Sequence, residues 1–328
     1  MTAILDARVK TSAASTGWLL LAIPGVIWGA SFLFIAEGLR AIGPNGVTLV
    51  RIAIGFATLA LFPAAWQPMA RRDWAAVALL GVVWFAFPLS MFPHAEERVS
   101  SAVTGMLNGA VPLCTAIVAA ALTRRLPSKG VMTGLLVGMA GAVLIALPTI
   151  GEGRSSVVGV LLILAAVISY GFALSIAVPL QQRYGALPVI WRAQAVALIL
   201  TAPLGLPDVL AAHWSLRSLL ALGALGAFGT GIAFVLMTTI ASRIGPTRAS
   251  ATAFLIPGVA LLLGVVVLGE RVALLSVIGC VVCVAGAWLM RRAQSVATPV
   301  AAPAPVPMAI RSGDCPLPGC QSHEKLAS

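Results

Sequence analysis

Acidic side chains are scarce in this sequence: ten Asp and Glu among 328 residues, with only three histidines. Charged residues of both signs reach only 9%, where a soluble domain carries roughly 25%. So few charges cannot solvate a globule of this size, and the surface must largely face lipid. The 60% hydrophobic content and mean hydropathy of +1.02 exclude an intrinsically disordered chain. The shortage of acids and histidines also weighs against intramembrane catalysis, which needs such groups clustered. His94, His213 and His323 fall in loops or the tail, and only His94 has neighbouring acids, Glu96 and Glu97, beside Arg98. A His94/Glu97 pair in a lipid-modifying enzyme is the alternative reading, and no motif accompanies it. The five cysteines form no framework. Cys114, Cys280 and Cys283 lie in apolar stretches and behave as small hydrophobes. Cys315, Cys320 and His323 in the tail lack a fourth zinc ligand and a fold. No metal and no cofactor are expected.

Long apolar runs are what the sequence has in abundance. A helix needs about 20 apolar residues to cross the bilayer core, and ten such stretches occur. They run near Gly17–Gly38, Gly46–Trp66, Trp74–Pro93, Ser100–Leu122, Gly130–Pro148, Val157–Leu180, Pro188–Leu206, Leu216–Ala241, Thr247–Leu268 and Val272–Met290. The first follows Arg8 and Lys10 but outlasts a signal-peptide core, which is about 7–15 residues. It is read as a retained span. The connecting loops are too short for a soluble catalytic domain, and the Ala/Pro-rich tail should be disordered.

The net charge of +11 would suggest nucleic acid in a soluble protein, but basic loops of a membrane protein explain it better. With the N-terminus cytoplasmic, fourteen of the 21 Lys and Arg fall on the inside and five on the outside. Arg51 and Arg192 remain within spans. The excess predicts that both termini are cytoplasmic in a multi-pass protein of the cell (inner) membrane, with the bilayer and a small molecule as partners and no nucleic acid. Monomer and homodimer stay equally open.

The two halves of the chain resemble each other. Pro112 precedes Arg125 by the same interval as Pro257 precedes Glu270, and Gly81 and Gly226 keep that register. Trp28-Gly29 answers Tyr170-Gly171, and Arg51 answers Arg192. Each half holds five spans, an odd number, so the second enters the membrane from the opposite side, as in transporters with inverted repeats. The expected fold is an all-α membrane protein of ten transmembrane helices in two inverted five-helix repeats. Residues 1–16 form a cytoplasmic segment, 17–148 and 157–291 the repeats, and 292–328 the disordered cytoplasmic tail.

The residues that carry the repeat also resemble a known family. Ile27-Trp28-Gly29-Ala30-Ser31-Phe32, then Gly43-Pro44 and Arg51, resemble the opening of an EamA domain of the drug/metabolite transporter superfamily. Pro257, Leu268-Gly269-Glu270-Arg271, Gly279 and Ala285-Gly286 resemble its end. The resemblance covers about residues 17–291. It implies transport of small metabolites, often export, by alternating access, with amino acids, nucleobases and amphiphilic compounds as the candidate cargo. Arg125 replaces the Glu that commonly ends the fourth helix of such proteins. The membrane-embedded Glu that four-helix relatives use for proton coupling has no counterpart in the first span.

Polar and aromatic residues at middle depth are the candidates for a substrate cavity, expected to be neutral: Trp28, Ser31, Trp84, Asn108, Tyr170, Ser175, Thr230 and Thr252. Asn108 is foremost, because an unpaired amide in a span is costly. Each could instead bond across packed helices. Glu37, Arg51 and Arg192 are candidate gating charges. The simpler readings are an i,i+3 pair of Glu37 with Arg40 and snorkelling of both arginines. Glu270 is expected to cap the tenth helix. Pro24, Pro88, Pro112 and Pro257 interrupt spans and are candidate hinges. Gly25/Gly29, Gly105/Gly109 and Gly134/Gly138 allow close helix contact.

Overall fold

A computed structural model describes residues 22–151, 153–237 and 250–297. The proposed N-terminal segment, the start of the first span, Trp18, Arg243, Arg248 and the tail with Cys315, Cys320 and His323 lie outside the described residues.

The described chain is helical throughout. In order the helices are α1 (Ala22–Leu39), α2 (Pro44–Ala60), α3 (Arg71–Glu96), α4 (Ser101–Asn108 and Val111–Thr123), α5 (Lys129–Ile150), α6 (Arg154–Tyr184), α7 (Ala186–Leu210), α8 (Leu216–Met237), α9 (Leu255–Val266) and α10 (Leu274–Ala297). By length and composition seven of these can cross a membrane, and α4 makes an eighth as a pair bent by 41°. The expectation of ten full-length spans is met only in part. α2 has 17 residues, starting at Pro44 and ending before Pro63, and α9 follows a 3-10 turn at Ser250–Phe254.

Glycine sets the tightest contact, between α5 and α10. A Cβ on Gly279 would stand 2.6 Å from the Ile145 amide nitrogen, and one on Gly141 2.6 Å from Cys283 Cα. Normal carbon contacts are about 3.5–4.0 Å, so these backbones touch. Gly134 and Gly286 make equally close approaches in the same seam. Gly25 and Gly29 meet Leu255 and Val259 of α9, and Gly105 meets Ala260 of α9 and Phe32 of α1. Small residues thus do here what hydrophobic segregation does in water.

Two helices change winding at corresponding positions. α3 is π-helical at Gly81–Ala86 and α8 at Leu225–Ile232. π-turns leave carbonyls without their usual partners, and side chains from elsewhere supply donors. Ser169 Oγ donates to the Val83 carbonyl (2.7 Å), Trp28 Nε1 to Gly229 (3.0 Å) and Gln194 Nε2 to Thr230 (2.8 Å). Both π-turns pack beside α2 or α7. Gly81 lies against the Ala193 carbonyl, and Gly226 against that of Arg51.

Candidate substrate cavity and its two ends

The polar links between helices sort the bundle into two ends. At one, Arg217 at the start of α8 reaches Glu37 of α1 (2.6 Å), and the Ser218 hydroxyl donates to the Glu37 carbonyl (3.0 Å). Asp208 near the end of α7 accepts from the Gly46 amide in the first turn of α2 (3.0 Å). At the other end, Asp73 accepts from Arg183 (2.9 and 3.0 Å) and from the Tyr184 hydroxyl. Arg192 donates to the carbonyls of Ala65 (3.1 Å) and Gln67 (2.7 Å) beyond α2. Asp208 therefore sits at the positive pole of α2, where its charge is favoured, and Arg192 holds the turn that follows the helix.

Glu270 does not cap α10, as the sequence reading expected. Its two carboxylate oxygens accept the amides of Ser101 and Ala102, both at 2.8 Å, and so cap the N-terminus of α4. α10 begins only at Leu274, and the Glu270 backbone is tied back to Gly264 (3.0 Å), which turns the side chain toward α4. Charge-assisted hydrogen bonds of this kind contribute about 1.5–3 kcal/mol each. Glu270→Ala should lower the thermal midpoint of the purified protein by several degrees, read by intrinsic tryptophan fluorescence, whereas Glu270→Gln should retain part of the loss.

Two other sequence readings also change. Glu37 is buried and its short contact is to Arg217, with Arg40 at 3.7 Å. The i,i+3 pair is the weaker half of a three-residue cluster. Arg51 does not snorkel. It is 5% exposed, and Nε donates to the Thr230 hydroxyl (3.3 Å). Arg192 is held by backbone carbonyls and lies 5.6 Å from the Trp191 ring. The His94 ring is hydrogen-bonded to the Ser90 carbonyl (2.8 Å) and Glu97 to Arg98 (3.3 Å), so His94 and Glu97 form no dyad. Among the described residues no cluster of His, Cys, Asp or Glu could hold a metal ion.

Between the two ends lies a cavity of about 1040 Å³. Its lining runs from Ile35 and Phe92 in mid-bundle to Gln67, Gln181 and Tyr184 at the Asp73 end. At this end of the cavity, toward Glu37, Phe32 packs edge-to-face on Phe92 (5.7 Å). Of the expected cavity residues, Trp28, Ser31, Trp84, Asn108, Tyr170 and Thr230 do line it, and Arg51 joins them. Ser175 and Thr252 do not. The Ser175 hydroxyl turns to its own helix at Gly171 (3.1 Å), and Thr252 is buried among protein.

Phe234 was missed. It stands edge-on to both Trp28 and Trp84, each at 5.6 Å, and joins them into one aromatic wall. The sequence offers no signal for it, because Phe234 looks like any lipid-facing residue of α8. The lining is apolar and aromatic with two cations, Arg51 at middle depth and Arg291 near the end of α10. No Asp or Glu stands among the described lining residues. The expectation of a cavity lined by neutral groups alone is therefore not met, because Arg51 and Arg291 stand in its lining.

The candidate hinges divide. Pro112 follows the 41° bend of α4 and lines the cavity beside Asn108. Pro88 follows the π-turn of α3, and Pro257 is buried in the first turn of α9. Proline costs no hydrogen bond in a first turn, so these three sit at junctions between differently wound segments. Pro24 is buried near the described start of α1.

The model of the EamA-like transporter family matches the sequence twice, over residues 15–147 and 157–292. The chain belongs to the EamA-like transporter family. Several curated proteins are similar to this EamA-like chain along most of its length. A Streptantibioticus cattleyicolor protein named a probable terminal-alkyne amino-acid exporter is 27% identical, over 84% of this chain and 93% of that protein. YdfC of Bacillus subtilis, named a transporter, is 27% identical over 79% and 86%. YedA of Escherichia coli K12, named an inner membrane transporter, is 28% identical over 75% and 80%. One crystal structure, 21% identical, superposes on 87% of this chain and 99% of its own with a TM-score of 0.59, which shows a common fold. Family membership makes the EamA-like chain a multi-pass membrane protein of a transporter family.

Proposed function

We propose that this protein is a secondary transporter of the inner membrane that carries small apolar or aromatic molecules bearing a carboxylate, amino acids included. The observation that carries the reading is the cavity itself: arginine at middle depth, an aromatic wall opposite, and no acid among its described lining. A carboxylate would take the Arg51 guanidinium, whose planar fork suits it, while an apolar side chain would lie on Trp28, Trp84 and Phe234. Amphiphilic cations would meet a like charge at Arg51.

The reading includes ten crossings in two inverted repeats, 17–148 and 157–291. The pairing of helices supports it. α2 packs on α7, α4 on α9 and α5 on α10, each joining corresponding members of the two halves. α3 packs on α6 and α7, and α8 on α1 and α2, as an approximate two-fold axis would generate. The links Glu37–Arg217 and Arg183–Asp73 then occupy opposite ends with acid and base exchanged. With both termini cytoplasmic, the Glu37 end is extracellular and closed, and the cavity reaches the cytoplasm. Alternating access would break one set of links and form the other.

Reconstituted protein should give saturable, concentration-dependent flux of at least one apolar amino acid or aromatic carboxylate, and none of a quaternary ammonium of similar size. No flux across a broad carboxylate panel, or preference for the cation, would remove this reading. The sided closure has its own test. Glu37→Gln should raise labelling of Ser31→Cys by an impermeant thiol reagent from the extracellular side. A gain of roughly fivefold corresponds to about 1 kcal/mol of lost closure, read in intact cells.

A further inference from the structure

One buried charge has no part in the packing described so far. Glu96 closes α3, and both of its carboxylate oxygens are buried without a hydrogen-bond partner among the described residues. This differs from Glu270 and Asp208, whose oxygens accept backbone amides. Glu96 is one helical turn beyond Phe92 on the same face of α3, and Phe92 lines the cavity. The carboxyl thus lies about one helical turn from the cavity lining, toward the Glu37 end.

The charged groups that act on it from neighbouring elements are Arg51 of α2 and Glu270 of the α9–α10 link. Tyr170 of α6 acts on Arg51 in turn. On its own turn stand His94, bonded to Ser90, and the Glu97–Arg98 pair. Arg51 is accordingly the cation shared between Glu96 and the cavity. Its single hydrogen bond within the described protein is through Nε, which leaves both terminal nitrogens for other partners.

An unpaired carboxylate out of water is costly, and a neutral acid far less so. While Arg51 faces the empty cavity, its charge offsets part of the cost of ionising Glu96, against burial and the nearby Glu270. A carboxylate cargo on Arg51 takes the charge up and leaves Glu96 uncompensated. We propose that Glu96 is a proton-binding site linked to the cargo through Arg51, so that one proton enters as one carboxylate binds. The chemistry is a single protonation: a proton from water adds to a Glu96 oxygen, giving the neutral acid, and no other group changes. Linkage is reciprocal, so lowering the pH tightens the cargo. Cargo and proton then cross together. The proposal rests on the carboxylate reading of the cavity, and its two measurements fail separately.

The first measurement needs no cargo. Infrared difference spectra of the full-length protein in lipid, titrated with pH, should contain the C=O stretch of a protonated carboxyl. Glu96→Gln should remove the band, and Glu96→Asp should keep it at a changed frequency, which separates loss of the acid from loss of the fold. Arg51→Gln should move its titration to higher pH. A spectrum that Glu96→Gln leaves intact overturns the proton site.

The second measurement uses 3-phenylpropionate, a carboxylate without an amine. Its affinity for the wild type should weaken by about tenfold per pH unit above the titration of the acid, as one linked proton requires. Glu96→Gln should bind it with one affinity across that range. A wild-type affinity that ignores pH overturns the linkage even if the infrared band is present. Failure of the wild type to bind 3-phenylpropionate at any pH overturns the linkage too, by removing the carboxylate reading beneath it, while the infrared result still decides the proton site.

Discussion

Arg51→Gln should lower the efficiency of carboxylate transport by about 30-fold or more. Removing one partner of a buried, hydrogen-bonded charge pair costs about 2–5 kcal/mol, and each 1.4 kcal/mol is a factor of ten. The loss should fall on apparent affinity, since the guanidinium would hold the cargo at rest and not a reacting centre. Arg51→Lys keeps the charge but not the planar fork, and should recover part of the affinity. The fold should tolerate the change. Among the described residues Arg51 makes one side-chain bond, to Thr230, whose hydroxyl also bonds the Leu225 carbonyl (3.2 Å) and whose own carbonyl is held by Gln194. Concentration-dependent flux in proteoliposomes checks this, with protein amount fixed. Equal flux in wild type and Arg51→Gln would place the cargo elsewhere than Arg51.

Gly141→Leu should have the largest effect on the protein itself: little or no folded material. The α5–α10 seam brings backbone against backbone, and a Cβ on Gly141 already falls 2.6 Å from Cys283 Cα. Side-chain rearrangement cannot relieve a clash with main chain, so the penalty exceeds the 1–3 kcal/mol typical of an overpacked core. Gly223→Ala is the control, because a Cβ there meets nothing within 4 Å, and it should fold normally. Size-exclusion profiles of the detergent-solubilised proteins distinguish the two. A monodisperse Gly141→Leu peak at wild-type yield would mean that α5 and α10 are not held in this seam.

Much of the architecture is legible from residue order alone. Low charge and long apolar runs place the chain in a bilayer, and paired anchors such as Gly81 and Gly226 fall at matching π-turns. Trp28, Trp84 and Asn108 are recognisable as cavity residues because large or polar groups at mid-span have few other uses. Ser175 and Thr252 fit the same description and lie outside the cavity, since depth along a helix does not say which face a residue occupies. Glu270 shows a second limit. Its partners, Ser101 and Ala102, are some 170 residues away, and the nearest helix in sequence is not the one it caps.

Composition and periodicity by themselves determined the membrane setting, the helical class, the doubled motif and part of the aromatic lining. Each depends on properties that every residue carries locally: hydropathy, size and spacing. Only the tertiary structure decided which charges count. Arg51 and Arg192 answer each other in sequence, yet Arg51 enters the cavity, while Arg192 holds the carbonyls beyond α2. Glu96 reads as a loop acid, yet both of its oxygens are buried without a hydrogen-bond partner among the described residues. The energy of a charge in a membrane is set by what surrounds it in three dimensions, and those neighbours come from helices far apart in the chain.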